Sequence, residues 1–435
     1  MKRDYAKRGV RHKKTPSERR AAESKTGPEI QLPLDRDELL GLMQDSLEGL
    51  AVELGLMVAS AILEDEVASL CGARYERRPE RTHTRYGRQG GVVILGGQKL
   101  PIERPRVRRV GGGGEVTLET YQKLQSPDVM PRAVLRRMVR GVSTRDYEDV
   151  VDTARDGFGV AKSSVSREFV RASATDVKAL AQRRFDANQF AAVMIDGVEY
   201  AGETMVVALG ISDDGMKRVL GLRQGATENA EVCAALLEEL VGRGLSTARP
   251  TLFVLDGSKA LHAAVSRVWG KNAVIQRCQV HKRRNVKAHI PEKHHAELER
   301  RLSEAYHETD YATAKASLEG TARWLDRLNP DAASSLREGL EETLTVVKLG
   351  VAGVLRRTLS TTNPIESALS VTRRVTARVT HWRDGDMRRR WCVAGLLRAE
   401  SKFRRVKGHR HMPALLKALE SLVGERGAGN GREVA

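Results

Sequence analysis

The chain has 435 residues, of which 40% are hydrophobic, a length and composition that support two or three domains with a substantial core. It contains no apolar run near the roughly 20 residues that span a bilayer and no secretory signal pattern at its basic N-terminus. With only four widely spaced cysteines, the sequence excludes membrane and disulfide-framework classes and predicts a soluble, cytoplasmic protein.

The net charge of +18 is concentrated in three blocks of the chain. Residues 1–26 carry ten Lys and Arg against three acids, residues 74–109 eleven against three, and residues 373–410 thirteen against three. The rest of the chain is therefore mildly acidic. Localised positive patches are what binding to a nucleic-acid backbone requires, with a merely solvated surface as the alternative.

The N-terminal third predicts a basic arm followed by a helical and β-hairpin region. Residues 1–35 are basic and polar and predict a disordered arm. Within residues 36–125, apolar residues recur at helical spacing up to about Cys71, and "TRYGRQGGVVILGGQKLPIERPRVR" then indicates a small basic hairpin. The run "VGGGGEV" at 110–116 is typical of a flexible joint.

Residues 126–180 pair two helical patterns around a turn, as a helix-turn-helix domain does. Ser143 is predicted to cap a helix that begins at Thr144. Any amphipathic helix pair with a glycine turn looks similar, so plain packing remains the alternative. The side chains predicted to meet phosphates and base edges are Arg145, Lys162, Ser163, Ser164, Ser166 and Arg167.

Residues 186–281 predict an α/β unit of three strands, a helix capped by Thr227, a strand, a helix and a last strand. Three segments follow it. Residues 282–355 are almost purely helical and charged, as in a helical insertion; residues 356–423 are helical and strongly basic; and residues 424–435 predict a disordered tail.

Two of the predicted strands run into an aspartate that is followed by glycine. Asp196 ends "FAAVMID" and Asp256 ends "TLFVLD", and Gly197 and Gly257 would let the backbone turn away. If the strands are neighbours, the two carboxylates lie within a few ångströms, and Mg²⁺ is the natural neutraliser of their repulsion. Asp-Gly is also a common turn dipeptide, which is the alternative for either one alone.

A third carboxylate is predicted at Glu366 in "STTNPIESALS". Thr362 or Asn363 would cap a helix with Pro364 at its first position, which places Glu366 in the first turn, near the positive end of the helix dipole. An acid there also has an ordinary capping role. Its rivals, by proximity in sequence, are Glu199 and Glu228.

The segment "RCQVHKRRN" contains Cys278 and His281 at a C-x-x-H spacing. This is half of a zinc site, but no second cysteine pair follows at a suitable spacing, so the ligand count argues against zinc and plain packing of Cys278 is the alternative. Basic residues beside this motif and beyond Glu366 are predicted to face DNA: Lys282, Arg283, Arg284, Arg373 and Arg374.

Five segments in this order resemble the Mutator-type transposases of bacterial insertion sequences, the insertion sequence 256 family of the DDE superfamily: "VMIDG", "FVLDGSKAL", "RCQVHKRRNV", "TTNPIES" and "RRRWCVAGLLRAESKFRRVKGHRHMPALL". The resemblance covers about residues 40 to 420. It implies a multidomain α/β protein with a ribonuclease H-like catalytic core, interrupted by an all-α insertion, and a mainly α N-terminal DNA-binding region.

The resemblance also implies roles for individual residues. It assigns a triad that binds two Mg²⁺ or Mn²⁺ ions to Asp196, Asp256 and Glu366, whose separations of 60 and 110 residues are compatible with an insertion between the last two. It suggests that His281, in the family's Cys-x-x-His signature, orients a carboxylate or contacts the scissile phosphate. Cys278 and Asn363 belong to the same motifs as supporting residues.

The predicted function is DNA transposition. Metal-bound carboxylates would cut DNA at the terminal inverted repeats of an insertion sequence and join the freed end to target DNA, and the chain would act at the nucleoid as a homodimer or higher multimer. Two alternatives stay open: a non-catalytic DNA-binding regulator, and a ribonuclease H-like nuclease or resolvase without strand transfer.

Overall fold

The computed structural model describes residues 47–76, 80–126, 129–150, 157–158, 160–187, 189–200, 202–225 and 229–429. The predictions for the arm at 1–35 and for Thr227 and Glu228 lie outside these residues. The chain divides into two compact units, Met1–Val134 with Thr144–Glu168, and Leu135–Ser143 with Phe169–Ala435. Within the described ranges, no helix is both long and apolar enough to cross a membrane.

The first unit combines helices with a small antiparallel sheet, which confirms the predicted hairpin. Its elements begin with α1 (Leu47–Cys71), β1 (His83–Leu95), β2 (Gln98–Arg109), β3 (Glu115–Val116) and α2 (Glu119–Leu124). The sheet order is β1-β2-β3. Leu63 and Val67 of α1 share a core with Val93, Leu100 and Val107 of the sheet.

The glycine-rich run at 110–116 differs from the flexible joint that the sequence predicts. It is a tight turn, because Val116 pairs with Val107 and the Arg109 amide donates to the Gly114 carbonyl oxygen at 3.2 Å. The backbone hydrogen bonds of β2 and β3 therefore hold the glycines in the exposed turn between these strands.

The described part of the predicted helix-turn-helix region contains three helices: α3 (Val129–Met138), α4 (Tyr147–Val150) and α5 (Lys162–Ala181). The helix expected at Thr144 begins only at Tyr147, so Ser143 does not occupy the capping position. On α5, Val165 is buried while Lys162, Ser163 and Arg167 are exposed, with Ser164 and Ser166 partly exposed, and Arg145 before α4 is exposed. These burial states match the predicted exposed face, and its binding to DNA stays a prediction.

A five-stranded mixed sheet organises the second unit, with the order β6-β5-β4-β7-β8. The strands are β4 (Phe190–Tyr200), β5 (Glu203–Ser212), β6 (Lys217–Gly225), β7 (Thr251–Leu255) and β8 (Ala273–Arg277). The pairs β4–β5 and β5–β6 are antiparallel, whereas β7 runs parallel to β4 and β8 parallel to β7. The predicted neighbourhood of the two aspartate-bearing strands is thereby confirmed.

Side chains of β4 alternate between two hydrophobic cores, as the two-residue period of a strand requires. Val193 and Ile195 face the core formed with α6 (Ala230–Gly242) and α7 (Lys259–Trp269). Ala192 and Met194 face the opposite core. The sheet is therefore buried on both faces, which explains the nearly continuous apolar sequence of its central strands.

Helices with a core of their own follow β8, in agreement with the predicted helical segment. They are α8 (Gln279–Ala288), α9 (His295–His307), α10 (Tyr311–Asp326), α11 (Pro330–Arg337) and α12 (Thr345–Lys348). Leu298, Leu318 and Leu336 lie in their shared core. Two of these helices have side-chain N-caps: Asp310 accepts from the Thr313 amide at 2.7 Å at the start of α10, and Asn329 accepts from the Asp331 amide at 2.8 Å at the start of α11.

The C-terminal helices cover the second face of the central sheet. They are α13 (Gly353–Leu359), α14 (Asn363–Thr376), α15 (Gly385–Glu400) and α16 (Met412–Gly429). Helices α14 and α15 pack closely, since a Cβ atom at Gly395 would lie only 2.8 Å from the Thr372 Cα atom. Helix α16 continues to Gly429, so residues 424–429 are helical where the sequence analysis predicted a disordered tail.

Candidate active site

Asp196 lies on β4 just beyond its parallel pairing with β7, which ends at Met194 and Val254. The strand continues to Tyr200 on its antiparallel partner β5, so Gly197 does not turn the chain away as the sequence analysis expected. The antiparallel hydrogen bonds to β5 hold this segment extended. The Asp196 carboxylate is partly buried, and its Oδ1 accepts from the Gly197 amide at 2.9 Å.

Asp256 follows the last residue of β7 directly, and here the predicted turn is present. Gly257 has φ of 108°, a conformation that favours glycine. The Asp256 Oδ1 atom accepts from the Ser258 amide at 2.8 Å, and the Ser258 side chain accepts from the Leu261 amide to cap α7. The carboxylate is thus fixed between a strand end and a helix start.

A buried arginine braces the turn after Asp256. Arg277, the last residue of β8, donates to the Gly257 carbonyl oxygen at 3.2 Å and to the Glu338 carbonyl oxygen at 2.9 Å. It also pairs with the Glu338 carboxylate at 3.2 Å. The guanidinium therefore links the Asp256 turn to the loop after α11, a contact that the sequence analysis missed because nothing local distinguishes Arg277 from its basic neighbours.

Glu366 lies in the first turn of α14, as predicted. Thr362 is the residue before the helix, but its side chain does not cap a backbone amide. Its hydroxyl instead donates to Glu366 Oε1 at 2.7 Å. Asn363 is the exposed first residue of the helix and Pro364 follows it, one position later than expected. The sequence analysis had treated Thr362 only as a cap candidate.

Cys278 and His281 stand at the start of α8, beside Thr362. The Cys278 amide donates to the Leu255 carbonyl oxygen at 2.7 Å, and its buried Sγ accepts from the Thr362 amide at 3.4 Å. His281 Nδ1 lies 3.8 Å from Glu366 Oε1. Backbone contacts thereby bring the C-x-x-H motif next to Glu366.

The acidic groups interact electrostatically. Burial raises the pKa of Asp196 to about 6, and the negative charges of Asp256 and, less strongly, of Glu366 contribute to this rise. The hydrogen bond from the Gly197 amide and the charge of His281 lower the pKa and offset part of the rise. The hydrogen bond with Cys278 raises the pKa of His281 despite burial, and the charges of Glu366 and Asp256 contribute in the same direction. The three predicted carboxylates and His281 therefore lie near enough to one another to interact electrostatically.

The donor set of these carboxylates fits a hard divalent cation. The three carboxylates are contributed by β4, the end of β7 and α14. The raised pKa of Asp196 means that a nearby cation would stabilise its charged form. Mg²⁺ and Mn²⁺ prefer such oxygen ligands. A tighter group of possible ligands also exists among the described residues: atoms of Cys278, His281 and Glu366 lie within 4.8 Å of one another.

Two of the residues predicted to face DNA are engaged inside the protein. Lys282 is only 1% exposed, and its Nζ donates to the Ser335 and Glu338 carbonyl oxygens, each at 2.6 Å. Burial lowers its pKa to about 8. Arg283 donates to Glu299 of α9 at 2.8 Å. The prediction is wrong for Lys282, because the helices after β8 cover the face of α8 that carries it, and Arg283 is directed towards α9.

The other basic residues of this prediction are exposed. Arg284 lies on the outer face of α8, and Arg373 and Arg374 lie near the C-terminus of α14, two turns beyond Glu366. Their exposure is compatible with phosphate contacts, which stay a prediction.

The raised pKa of Asp196 predicts a pH-dependent stability for the metal-free protein. Between its ordinary value near 3.8 and about 6, the folded state binds more protons than the unfolded state, so the free energy of unfolding falls as the pH rises through this window. Asp196→Asn mimics the protonated group. We expect the substitution to raise the free energy of unfolding above pH 6 by on the order of 2 kcal/mol, and to change it little below about pH 4.

Thermal unfolding in the presence of a chelator, at acidic and neutral pH, measures this effect. Glu199→Gln is the matched control, because Glu199 is an exposed acid on the same strand. An Asp196→Asn protein no more stable than the wild type at neutral pH would contradict the electrostatic assignment.

Comparisons with known proteins identify the family of the chain. The family model described as "Transposase, Mutator family" matches residues 35–405. The transposase for insertion sequence element ISRM5 of Rhizobium meliloti (strain 1021) is 32% identical over 305 residues, covering 67% of this chain and 73% of the relative. The transposase for insertion sequence element IS256 in transposon Tn4001 of Staphylococcus aureus is 24% identical over 354 residues, covering 78% and 87%. The chain belongs to the Mutator family of transposases.

Proposed function

We propose that the chain cuts DNA at the terminal inverted repeats of an insertion sequence and joins the freed ends to target DNA. The observation that carries the proposal is the electrostatic interaction of Asp196 with Asp256 and Glu366, three acids contributed by β4, the end of β7 and α14 in a chain of this family. A ribonuclease H-like core would supply this arrangement. The adjacent parallel strands β4 and β7, and the helices between Asp256 and Glu366 in the chain, support that reading.

The three carboxylates would hold two Mg²⁺ or Mn²⁺ ions, which when bound polarise the phosphodiester and activate the attacking oxygen. The chain's own residues set the ligand positions. The Gly197 amide orients Asp196, the Ser258 amide orients Asp256, and the Thr362 hydroxyl orients Glu366. His281 adds positive charge beside Glu366, because its raised pKa extends its charged form towards neutral pH.

Cleavage and joining are the same kind of reaction in this proposal. In cleavage a water oxygen attacks phosphorus and the bond to the 3′ oxygen breaks; in joining the freed 3′ hydroxyl attacks a phosphorus of target DNA. Both are in-line displacements, so one set of carboxylates serves both. Joining two ends of one element also favours a homodimer or higher multimer, and substrates of this kind would place the protein at the nucleoid.

The decisive experiment uses DNA from the flanks of the protein's own gene. The purified chain is incubated with this DNA and Mn²⁺, and nicks are mapped at the inverted repeats. A second reaction supplies a pre-cut end with target DNA. Nicking with joining supports the proposal. Nicking without joining favours a nuclease or resolvase, and repeat binding with neither Mn²⁺ binding nor nicking favours a DNA-binding regulator.

The exposed face of α5 is expected to bind the DNA backbone. We expect the double variant Lys162→Ala with Arg167→Ala to weaken binding to the terminal repeat by about 10-fold or more near physiological salt, because two phosphate contacts are lost. Each lost contact is also expected to reduce the slope of log affinity against log salt by about one. Titration by fluorescence anisotropy at several salt concentrations measures both quantities.

The matched control for that titration removes two basic residues far along the chain on α10 and α11, Arg323 and Arg337. A double variant at Lys162 and Arg167 with unchanged affinity and salt slope would assign DNA binding to another surface.

A further inference from the structure

Cys278, His281 and Glu366 form a ligand set that is chemically distinct from the three carboxylates. One ligand atom of each lies within 4.8 Å of the other two, and His281 Nδ1 lies 3.8 Å from Glu366 Oε1. The sequence argued against a zinc site, because no second cysteine pair follows the C-x-x-H motif at a suitable spacing and the motif therefore lacked a third ligand. The fold supplies that ligand from α14, 85 residues beyond His281 in number.

The three ligand atoms converge on a common point. The Thr362 hydroxyl oxygen lies 2.7 Å from Glu366 Oε1 and 3.3 Å from both Cys278 Sγ and His281 Nδ1. All three candidate ligand atoms are therefore neighbours of the Thr362 hydroxyl. A cation placed there would also find the neutral oxygen of Thr362 as a neighbour.

The scaffold around this point is rigid on one side and open on the other. Cys278 is fully buried, and its amide is bonded to the end of β7. The next amide, of Gln279, donates to the Ser360 carbonyl oxygen at 3.0 Å. In contrast, the side chains of His281 and Glu366 are 25% and 28% exposed, which leaves a path for an ion and for a water ligand.

The donor chemistry selects the ion. A thiolate with an imidazole and a carboxylate favours Zn²⁺ and Co²⁺ over the oxygen-seeking Mg²⁺, and three protein ligands with water in the fourth position are a common zinc arrangement. We propose that Zn²⁺ binds Cys278 Sγ, His281 Nδ1 and Glu366 Oε1. Binding requires the thiolate of Cys278 and an unprotonated Nδ1 on His281, so any proton carried by either atom is released to solvent as the metal–sulfur and metal–nitrogen bonds form.

The site would make zinc an inhibitor of the carboxylate chemistry. Glu366 belongs to both ligand sets. When Zn²⁺ binds Glu366 together with Cys278 and His281, this carboxylate is no longer free to bind a metal ion with Asp196 and Asp256. This consequence rests on the proposed function, whereas zinc binding itself does not. The two therefore need separate measurements.

Co²⁺ is the direct probe of binding, because a cobalt–thiolate bond has a charge-transfer absorption that nitrogen and oxygen ligands lack. The full-length chain, without a histidine tag and stripped of metal by a chelator, is titrated with Co²⁺ and then with Zn²⁺. We expect one equivalent of Co²⁺ to produce the thiolate band and Zn²⁺ to abolish it. Absence of the band in the wild type overturns the proposal.

Variants identify the ligands. Cys278→Ser is expected to abolish the band, and His281→Ala and Glu366→Gln to weaken Co²⁺ binding by about 10-fold or more. Cys392→Ser is the matched control, because Cys392 is equally buried but lies outside the group, and Thr362→Ala is expected to retain the band. Circular dichroism confirms folding of each variant. A band that persists in folded Cys278→Ser, or disappears in folded Cys392→Ser, contradicts the assignment.

The cleavage assay tests the inhibitory consequence separately. At fixed Mg²⁺, added Zn²⁺ is expected to reduce nicking by the wild type, while whatever nicking Cys278→Ser retains is expected to be insensitive to the same Zn²⁺. Cobalt binding without any nicking by the wild type would refute the proposed function and leave the zinc site standing. Normal nicking without cobalt binding would refute the zinc site and leave the proposed function standing.

Discussion

Replacement of Asp196, Asp256 or Glu366 by its amide is expected to reduce cleavage at the terminal repeats by on the order of 10³-fold or more, which is about 4 kcal/mol in the activation barrier. Asn and Gln keep the size of the side chain but remove the negative charge that a divalent cation needs. Because the substitutions leave the exposed face of α5 unchanged, binding to the repeat should stay close to that of the wild type.

Nicking of an end-labelled repeat measures the first quantity, and a mobility-shift titration measures the second. Glu199→Gln serves as the matched control, since Glu199 is an exposed acid on β4 and was a rival for the third position. Near-normal nicking by any of the three amide variants would contradict the role of the substituted acid. If Glu199→Gln lost nicking at the same time, Glu199 would take its place in the site.

Removal of the Arg277 side chain is expected to lower the free energy of unfolding by about 2 to 3 kcal/mol, because two backbone carbonyl oxygens lose a largely buried donor. The ion pair with Glu338 adds little, since the Glu338 side chain is 48% exposed. Arg277 is 7% exposed, and its guanidinium donates hydrogen bonds to two carbonyl oxygens and one carboxylate. In Arg277→Ala, the Gly257 and Glu338 carbonyl oxygens lose this donor. The turn that follows Asp256 also loses its brace, so the remaining folded protein should nick more slowly.

Urea denaturation measures the stability, and nicking by the folded fraction measures the effect on Asp256. Arg284→Ala is the control for the urea measurement alone, because Arg284 is an exposed arginine on the neighbouring helix α8 and is itself predicted to contact DNA. Arg277→Lys keeps the charge but loses the forked donor geometry, so an intermediate loss is expected. A change of less than about 1 kcal/mol in Arg277→Ala would refute the bracing role.

The placement of Asp256 was predictable because its determinants are local. The apolar run of β7, the abrupt change to Asp-Gly and the capping serine at 258 all lie within one short segment. Glu366 was predictable in the same way, since Pro364 and the polar residues before it specify the first turn of α14. The sequence also predicted that Asp196 lies near Asp256, but it did not predict that the strand continues beyond Asp196. Hydrogen bonds to β5, which the local sequence does not specify, keep this segment extended.

The sequence by itself determined the α/β order of the second unit, the hairpin of the first, the position of Asp256 at a strand end and of Glu366 in a first helical turn, and, through motifs in a fixed order, the family. These features depend on residue periodicity and on turn and cap preferences that act over a few residues. Tertiary structure alone decided that Lys282 is buried, that Arg277 braces Asp256, and that Glu366 meets Cys278 and His281. Such outcomes depend on which distant surface covers a side chain, and a run of basic residues looks the same in either case.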